Sequence, residues 1–144
     1  MKVLILGLPG SGKSWLAKRL VSHIENCAWF NADKVRESCN DWCFRISGRI
    51  RQARRMRTYA DFENKNGRMA ICDFVAPTEK IRREFSSDYT IWLDTINESR
   101  FKNTNKIFEK PKNYDLHIKE FLSDNEIITI AKKLVKIEKS KEIV

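Results

Sequence analysis

Metal-binding side chains are scarce in this sequence. Its 144 residues hold two His and four Cys. Cys27, Cys39, Cys43 and Cys72 form no C-x-x-C pair, and the histidines offer no ligand spacing. A structural zinc site needs four ligands, so none is expected. Cys27 and Cys72 lie in apolar runs and read as small core residues. Cys39 and Cys43 are four apart and can meet on one helical turn. Reduced thiols fit a cytosolic setting. Long apolar runs are also missing: none approaches the ~20 residues of a membrane span. The first apolar run begins at Lys2, which leaves no room for a signal peptide. The expectation is a soluble, cytoplasmic protein with no membrane partner.

Acidic residues are the minority charge. There are 19 Asp and Glu against 28 Lys and Arg, a net charge of +9. Hydrophobic residues make up 42% and charged residues 33%, a globular rather than a disordered balance. A basic domain attracts nucleotides, nucleic acid or acidic membranes, or simply carries a solvated basic surface. The length fits one domain over residues 1–144, large enough to bury a core without staples.

Apolar strands alternate with amphipathic helices. Strands are expected over 2–7, 27–33, 67–77, 89–94 and 114–118. Helices are expected over 13–25 with Leu16, Leu20 and Ile24 as a stripe, over 46–63, over 78–85 behind Pro77, and over 123–139 from a Ser or Asp cap. In the second of these, Ile46, Ile50, Ala53, Met56 and Ala60 share one face. Such alternation implies a parallel sheet with helices on both faces, an α/β domain. The polar stretch 97–113 has weak periodicity and is a candidate lid, or else an irregular surface helix and loop.

Between the first strand and first helix stands GLPGSGKS. Gly7, Gly12, Lys13 and Ser14 fit G-x-x-x-x-G-K-[ST], in the strand–loop–helix context that motif requires. Glycines let the backbone N–H groups turn inward on phosphate, and the helix N-terminus adds positive character. Lys13 would reach the β- and γ-phosphates and Ser14 would ligate Mg2+. Gly7, Leu8, Pro9, Gly10, Ser11, Gly12, Lys13, Ser14 and Trp15 are therefore the expected ATP-binding residues. This loop specifies a P-loop NTPase-type three-layer sandwich around a mainly five-stranded parallel sheet.

Asp33 closes the second strand beside that loop. A carboxylate there can take or orient a hydroxyl proton, or hold Mg2+ through water; its bland reading is a helix N-cap. Arg36, one helical turn on, would face the same pocket or merely the surface. Asp73 ends the third strand and is a candidate for the metal shell, through water. GTPase switches need N-K-x-D, which NTNK at 103–106 does not supply, and motors need further motifs. A compact phosphotransferase remains.

The chain up to about residue 95 resembles the adenylylsulfate kinases. GLPGSGKS matches their G-L-S-G-x-G-K-[ST]. NADKVRESCNDWCF places Asn31, Asp33, Arg36, Asn40 and Phe44 on D-G-D-N-[VI]-R and the residues that follow it. SGRIRQARRMRTYAD puts Arg49 and Arg54 on their Arg-rich helix, FVAPTEKIRREF follows F-I-S-P, and TIWLD follows their fourth strand. The resemblance implies catalysis by Lys13 and Asp33, with ATP and Mg2+ as cofactors. Arg36, Asn40 and Arg49 would grip an anionic nucleotide, adenylyl sulfate. Phe44 would stack on its base, or else is a core aromatic, with Phe74 and Phe108 adding aromatic surface. The departures cluster at the acceptor: Asn31 replaces the first Asp, Ala76 replaces the Ser of F-I-S-P, and the lid run before the last helix is not legible. Other acceptors therefore stand as alternatives: a nucleoside, a modified base or a polynucleotide end. A nucleotide-dependent nucleic-acid-binding module is the less favoured reading, since it has no use for Asp33. A homo-oligomer is compatible with the sequence. Seven arginines crowd 45–68, with Arg51 and Arg55 on one helical face and Arg54 and Arg57 on another.

Overall fold

The computed structural model describes residues 1–142. Five parallel strands form one sheet: β1 (Lys2–Leu6), β2 (Cys27–Asn31), β3 (Met69–Asp73), β4 (Tyr89–Leu93) and β5 (Leu116–Ile118), in the order β2-β3-β1-β4-β5. The helices are α1 (Lys13–Ser22), α2 (Ala32–Cys39), α3 (Ile46–Lys65), α4 (Glu79–Phe85), α5 (Lys102–Ile107) and α6 (Asp124–Glu142).

β1 shows how the layers form. Its side chains alternate between faces, as strand geometry demands. Val3 and Ile5 pack with Leu16, Leu20, Ile127, Ala131 and Leu134 from α1 and α6. Leu4 and Leu6 pack with Val35, Ala53, Met56, Ile81 and Phe85 from α2, α3 and α4. β1 is buried on both faces, which is why it reads as an unbroken apolar run. The architecture is the expected three-layer α/β sandwich of the P-loop type.

Several boundaries move, each for a local reason. The second strand stops at Asn31, because Asn31 Oδ1 accepts from Lys34 N at 3.1 Å and caps α2. The third strand stops at Asp73 rather than 77. Thr78 is the cap of α4 rather than its first residue, its hydroxyl accepting from Ile81 N at 3.2 Å. Ser123 and Glu126 form a reciprocal capping box at α6. On α3 the inward face is Arg49, Gln52, Ala53, Met56 and Ala60, while Ile46 is 51% exposed. Cys39 ends α2 and Cys43 lies in the following loop, so the two do not share a helical turn. Cys27 is half-buried and Cys72 fully buried, and burial pushes both thiols well above their usual range. Among the described residues no helix is long and apolar enough to cross a membrane.

Candidate active site

The carboxyl ends of β1, β2 and β3 open into one cleft, and the strands deliver a different chemical group each. β1 delivers the glycine loop. Gly7 has no alternative: a Cβ there would lie 2.7 Å from Ser11 Oγ and against the Leu93 carbonyl. Gly10 and Gly12 have φ of +85° and +100°, a region that favours glycine. Thr95, just beyond β4, donates to the Ser11 carbonyl at 2.7 Å and pins the loop. Lys13 folds back over it, Nζ donating to the Leu8 carbonyl at 2.9 Å. Burial lowers the Lys13 ammonium to about 8, although Asp73 and Asp33 pull the other way. A buried cation on a glycine loop at the start of a helix has the chemistry that suits a phosphate.

β3 delivers Asp73, only 2% exposed. Three donors satisfy it. Trp29 Nε1 donates to Oδ2 at 2.6 Å, Asn31 Nδ2 to Oδ1 at 3.1 Å, and Ser14 Oγ to Oδ1 at 3.2 Å. Asn31 also donates to Ser14 Oγ at 2.8 Å. Burial raises the Asp73 carboxyl, while the bonds from Trp29 and Asn31, the Lys13 charge and the bond from Ser14 oppose that rise. A hydroxyl and a carboxylate oxygen side by side, next to a phosphate cradle, suit Mg2+, which takes oxygen ligands beside phosphates.

β2 leads into α2 and delivers a second carboxylate. Asp33 sits exposed in the first turn of α2 and lines the cleft with Lys13, Ser14 and Asp73. Phe44, Arg49, Phe74 and Val75 continue the wall. Residues 96–104 close it from across, through Ile96, Glu98, Ser99, Arg100, Phe101 and Lys102. The cleft measures about 1150 Å3, above the roughly 300–1,000 Å3 of a pocket for one ligand.

Not all the expected residues reach this cleft. Arg36 is buried beneath the loop 41–44, donating to the carbonyls of Asp41 at 2.8 Å and Cys43 at 3.2 Å. Its guanidinium lies 4.3 Å from the centre of the Phe44 ring. Asn40 is the exposed, left-handed cap of α2. Phe108 packs on the α3–α4 core with Arg82 over its ring. These three stand outside the cleft walls. Arg49 lines the cleft but is committed, with Nε on the Phe44 carbonyl at 2.8 Å and a terminal nitrogen on Thr104 Oγ1 at 3.2 Å. The two arginines thus support Phe44, whose ring is 49% exposed.

The segment 97–113 is fastened at several points. Ser99 and Asn105 exchange hydrogen bonds that build the turn before α5. Thr104 meets Arg49, and Glu109 N donates to the Pro77 carbonyl at 2.7 Å. Phe101, 48% exposed at the cleft wall, escaped the sequence reading. Its signal was there: an aromatic between Arg100 and Lys102 in an otherwise polar stretch. Trp29 was also missed, because an apolar run hides an indole whose N–H has a carboxylate to serve.

The family model for adenylylsulphate kinase matches residues 1–95, the stretch that holds the glycine loop, Asn31, Asp33 and Asp73. The chain belongs to the adenylylsulphate kinase family. No curated protein matches it. The APS kinase CysC of Mycobacterium tuberculosis, solved with AMPPNP and APS, shares 20% identity with a TM-score of 0.71, over 94% of this chain and 95% of that one. The hexameric APS kinase of Thiobacillus denitrificans shares 24% identity with a TM-score of 0.69, over 96% of this chain and 29% of that one. A shikimate kinase of Aquifex aeolicus shares 13% identity with a TM-score of 0.60, over 98% of both chains. At these identities the structures speak for a shared P-loop kinase fold.

Proposed function

We propose that the protein is an ATP-dependent phosphotransferase that moves the γ-phosphoryl group of ATP to a hydroxyl of an anionic nucleotide, with adenylyl sulfate and its 3′-hydroxyl as the first candidate. One observation carries this reading: Asp33 faces the same cleft as the glycine-loop Lys13, so a base stands across from a phosphate cradle. A module that only bound nucleotide would not need it.

In this reading Lys13 and the loop N–H groups would hold the β- and γ-phosphates, with Trp15 lining the cleft beside them. Bound Mg2+ would neutralise the phosphate oxygens, and Ser14 and Asp73 are the residues placed to hold it. The acceptor hydroxyl oxygen bonds to the γ-phosphorus while the bond to the β–γ bridging oxygen breaks. ADP leaves, and the hydroxyl proton passes to the Asp33 carboxylate. Phe44, Phe74 and Phe101 supply aromatic surface for an acceptor base. Residues 97–113 act as the acceptor-side lid, and residues 1–144 work as a single kinase unit. ATP use and reduced thiols fit the cytoplasm.

A second reading keeps the chemistry and changes the acceptor to a polynucleotide end. Arg36 and Arg49 are used up in holding Phe44, so neither is free to grip a small anion. The arginines of α3 are largely paired: Arg51 and Arg55 with Asp41, Arg54 with Glu84, Arg57 with Asp61. By contrast Arg100, Lys102, Lys106, Lys110 and Lys112 take part in no ion pair among the described residues. Of these, Arg100 and Lys102 line the cleft, where unpaired cations suit a phosphodiester chain. The test is γ-labelled ATP with a panel of acceptors. Label on adenylyl sulfate supports the first reading, label on an oligonucleotide end the second, and label on no acceptor contradicts both.

A further inference from the structure

Trp29 lies on β2, an edge strand whose residues are all half-buried. It stands two residues before Asn31, so both side chains leave the same face of the strand, and that face turns toward Asp73. A carboxylate can present either oxygen, and Asp73 has one on each side of its local environment. Asn31 does not choose between them: its amide reaches Oδ1 at 3.1 Å and Oδ2 at 3.4 Å. Trp29 does choose. Its N–H takes Oδ2 at 2.6 Å, the shortest bond Asp73 receives, and leaves Oδ1 aimed at Ser14 Oγ. The indole is itself held in place, with Lys34 Nζ 5.6 Å from its ring and the α1–α6 core behind it.

We propose that Trp29 is a positioning residue for the metal site: its N–H locks Asp73 so that Oδ1 and Ser14 Oγ together face the divalent ion that accompanies ATP. The proposal rests on the phosphotransferase reading. Neutral donors behind a metal-facing carboxylate fix its orientation, and losing such a donor costs about 10- to 100-fold in metal affinity. Nothing else on the second oxygen replaces Trp29, since the Asn31 contact there is long and divided.

Trp29→Phe removes the N–H and keeps the packing of the ring. Its Mn2+ affinity in the presence of saturating ATP is measured from the free-ion paramagnetic resonance signal. The expected result is a loss of about tenfold or more, with ATP affinity in EDTA, measured by calorimetry, within about twofold of wild type. Unchanged Mn2+ affinity overturns the proposal. An equal loss of metal-free ATP affinity also overturns it, since that is the mark of a purely structural role. If the variant does not fold, the wild-type indole N–H resonance, assigned through its neighbours Asn31 and Lys34, decides. It is expected to shift when Mg2+ is added to the ATP complex, and a resonance that stays put refutes the idea. A wild-type protein that binds no ATP at all would sink the phosphotransferase reading and this one with it.

Discussion

Replacing Thr104 by Val should loosen the segment 97–113 and destabilise the whole protein by an amount that can be worked out. Arg49 is a guanidinium only 8% exposed, and its charged neighbour is another arginine, Arg36. Its burial is made tolerable by two oxygen acceptors, the Phe44 carbonyl and Thr104 Oγ1. Thr104 is itself only 6% exposed, so water has little access to the bond. Valine has the same shape and no acceptor, so one guanidinium donor is left buried and unpaired. That costs about 1–3 kcal/mol. For a domain of this size the expected fall in Tm is about 3–9 °C, at roughly 3 °C per kcal/mol. Calorimetry gives the stability, and hydrogen exchange over residues 97–108 gives the local effect, with faster exchange expected at α5. A double-mutant cycle isolates the pair: in an Arg49→Met background the same Thr104→Val change should cost almost nothing. If Thr104→Val is neutral in the wild type, or costs the same in both backgrounds, the segment 97–113 is not held through Arg49.

Three further changes probe other parts of the account. Lys13→Ala should abolish ATP binding measured by calorimetry while leaving the far-ultraviolet circular dichroism spectrum intact; unaltered ATP affinity would remove the glycine loop from the mechanism. Gly7→Ala should destabilise the fold by about 1–3 kcal/mol in urea titration, because backbone rather than a flexible side chain stands in the way of the new methyl. Asp41→Asn releases Arg51 and Arg55 and with them the loop that carries Phe44. Those two arginines hold the Asp41 carboxyl well below the usual carboxylate range. The stability they provide is therefore complete above the unfolded value of about 3.9 and is lost as pH falls through the lower folded value. The variant should melt below wild type at neutral pH, and the gap should close only in acid, below about pH 4. A gap that is constant down to pH 2 contradicts that assignment.

What the sequence revealed follows from how each feature is encoded. The glycine loop is spelled by local chemistry, and β1 by an unbroken apolar run, so both were legible from residues 2–14. Helix α2 was legible only as a single turn after Asp33, because its few apolar residues, Ala32, Val35 and Cys39, make a weak stripe and its start depends on Asn31 turning from strand residue to cap. Helix α5 is six residues long and held by the Ser99–Asn105 and Thr104–Arg49 contacts rather than by an amphipathic pattern. The pairing of α3's faces was legible, since Arg51 and Arg55 do converge on one carboxylate, Asp41, while Arg54 meets Glu84. Spacing along a helix fixed which arginines act together. It could not say that Arg36 folds under Phe44 instead of pointing into the cleft, because that depends on loop carbonyls five and seven residues away.

The central claim is that Asp33 serves the acceptor hydroxyl opposite a phosphate held by Lys13. Single-turnover transfer of γ-labelled phosphate from ATP, compared between wild type and Asp33→Asn with the acceptor identified in the panel, tests it most directly. The account predicts a fall in the transfer rate of about 10²- to 10⁴-fold with ATP affinity nearly unchanged. Transfer at the wild-type rate in Asp33→Asn would contradict it.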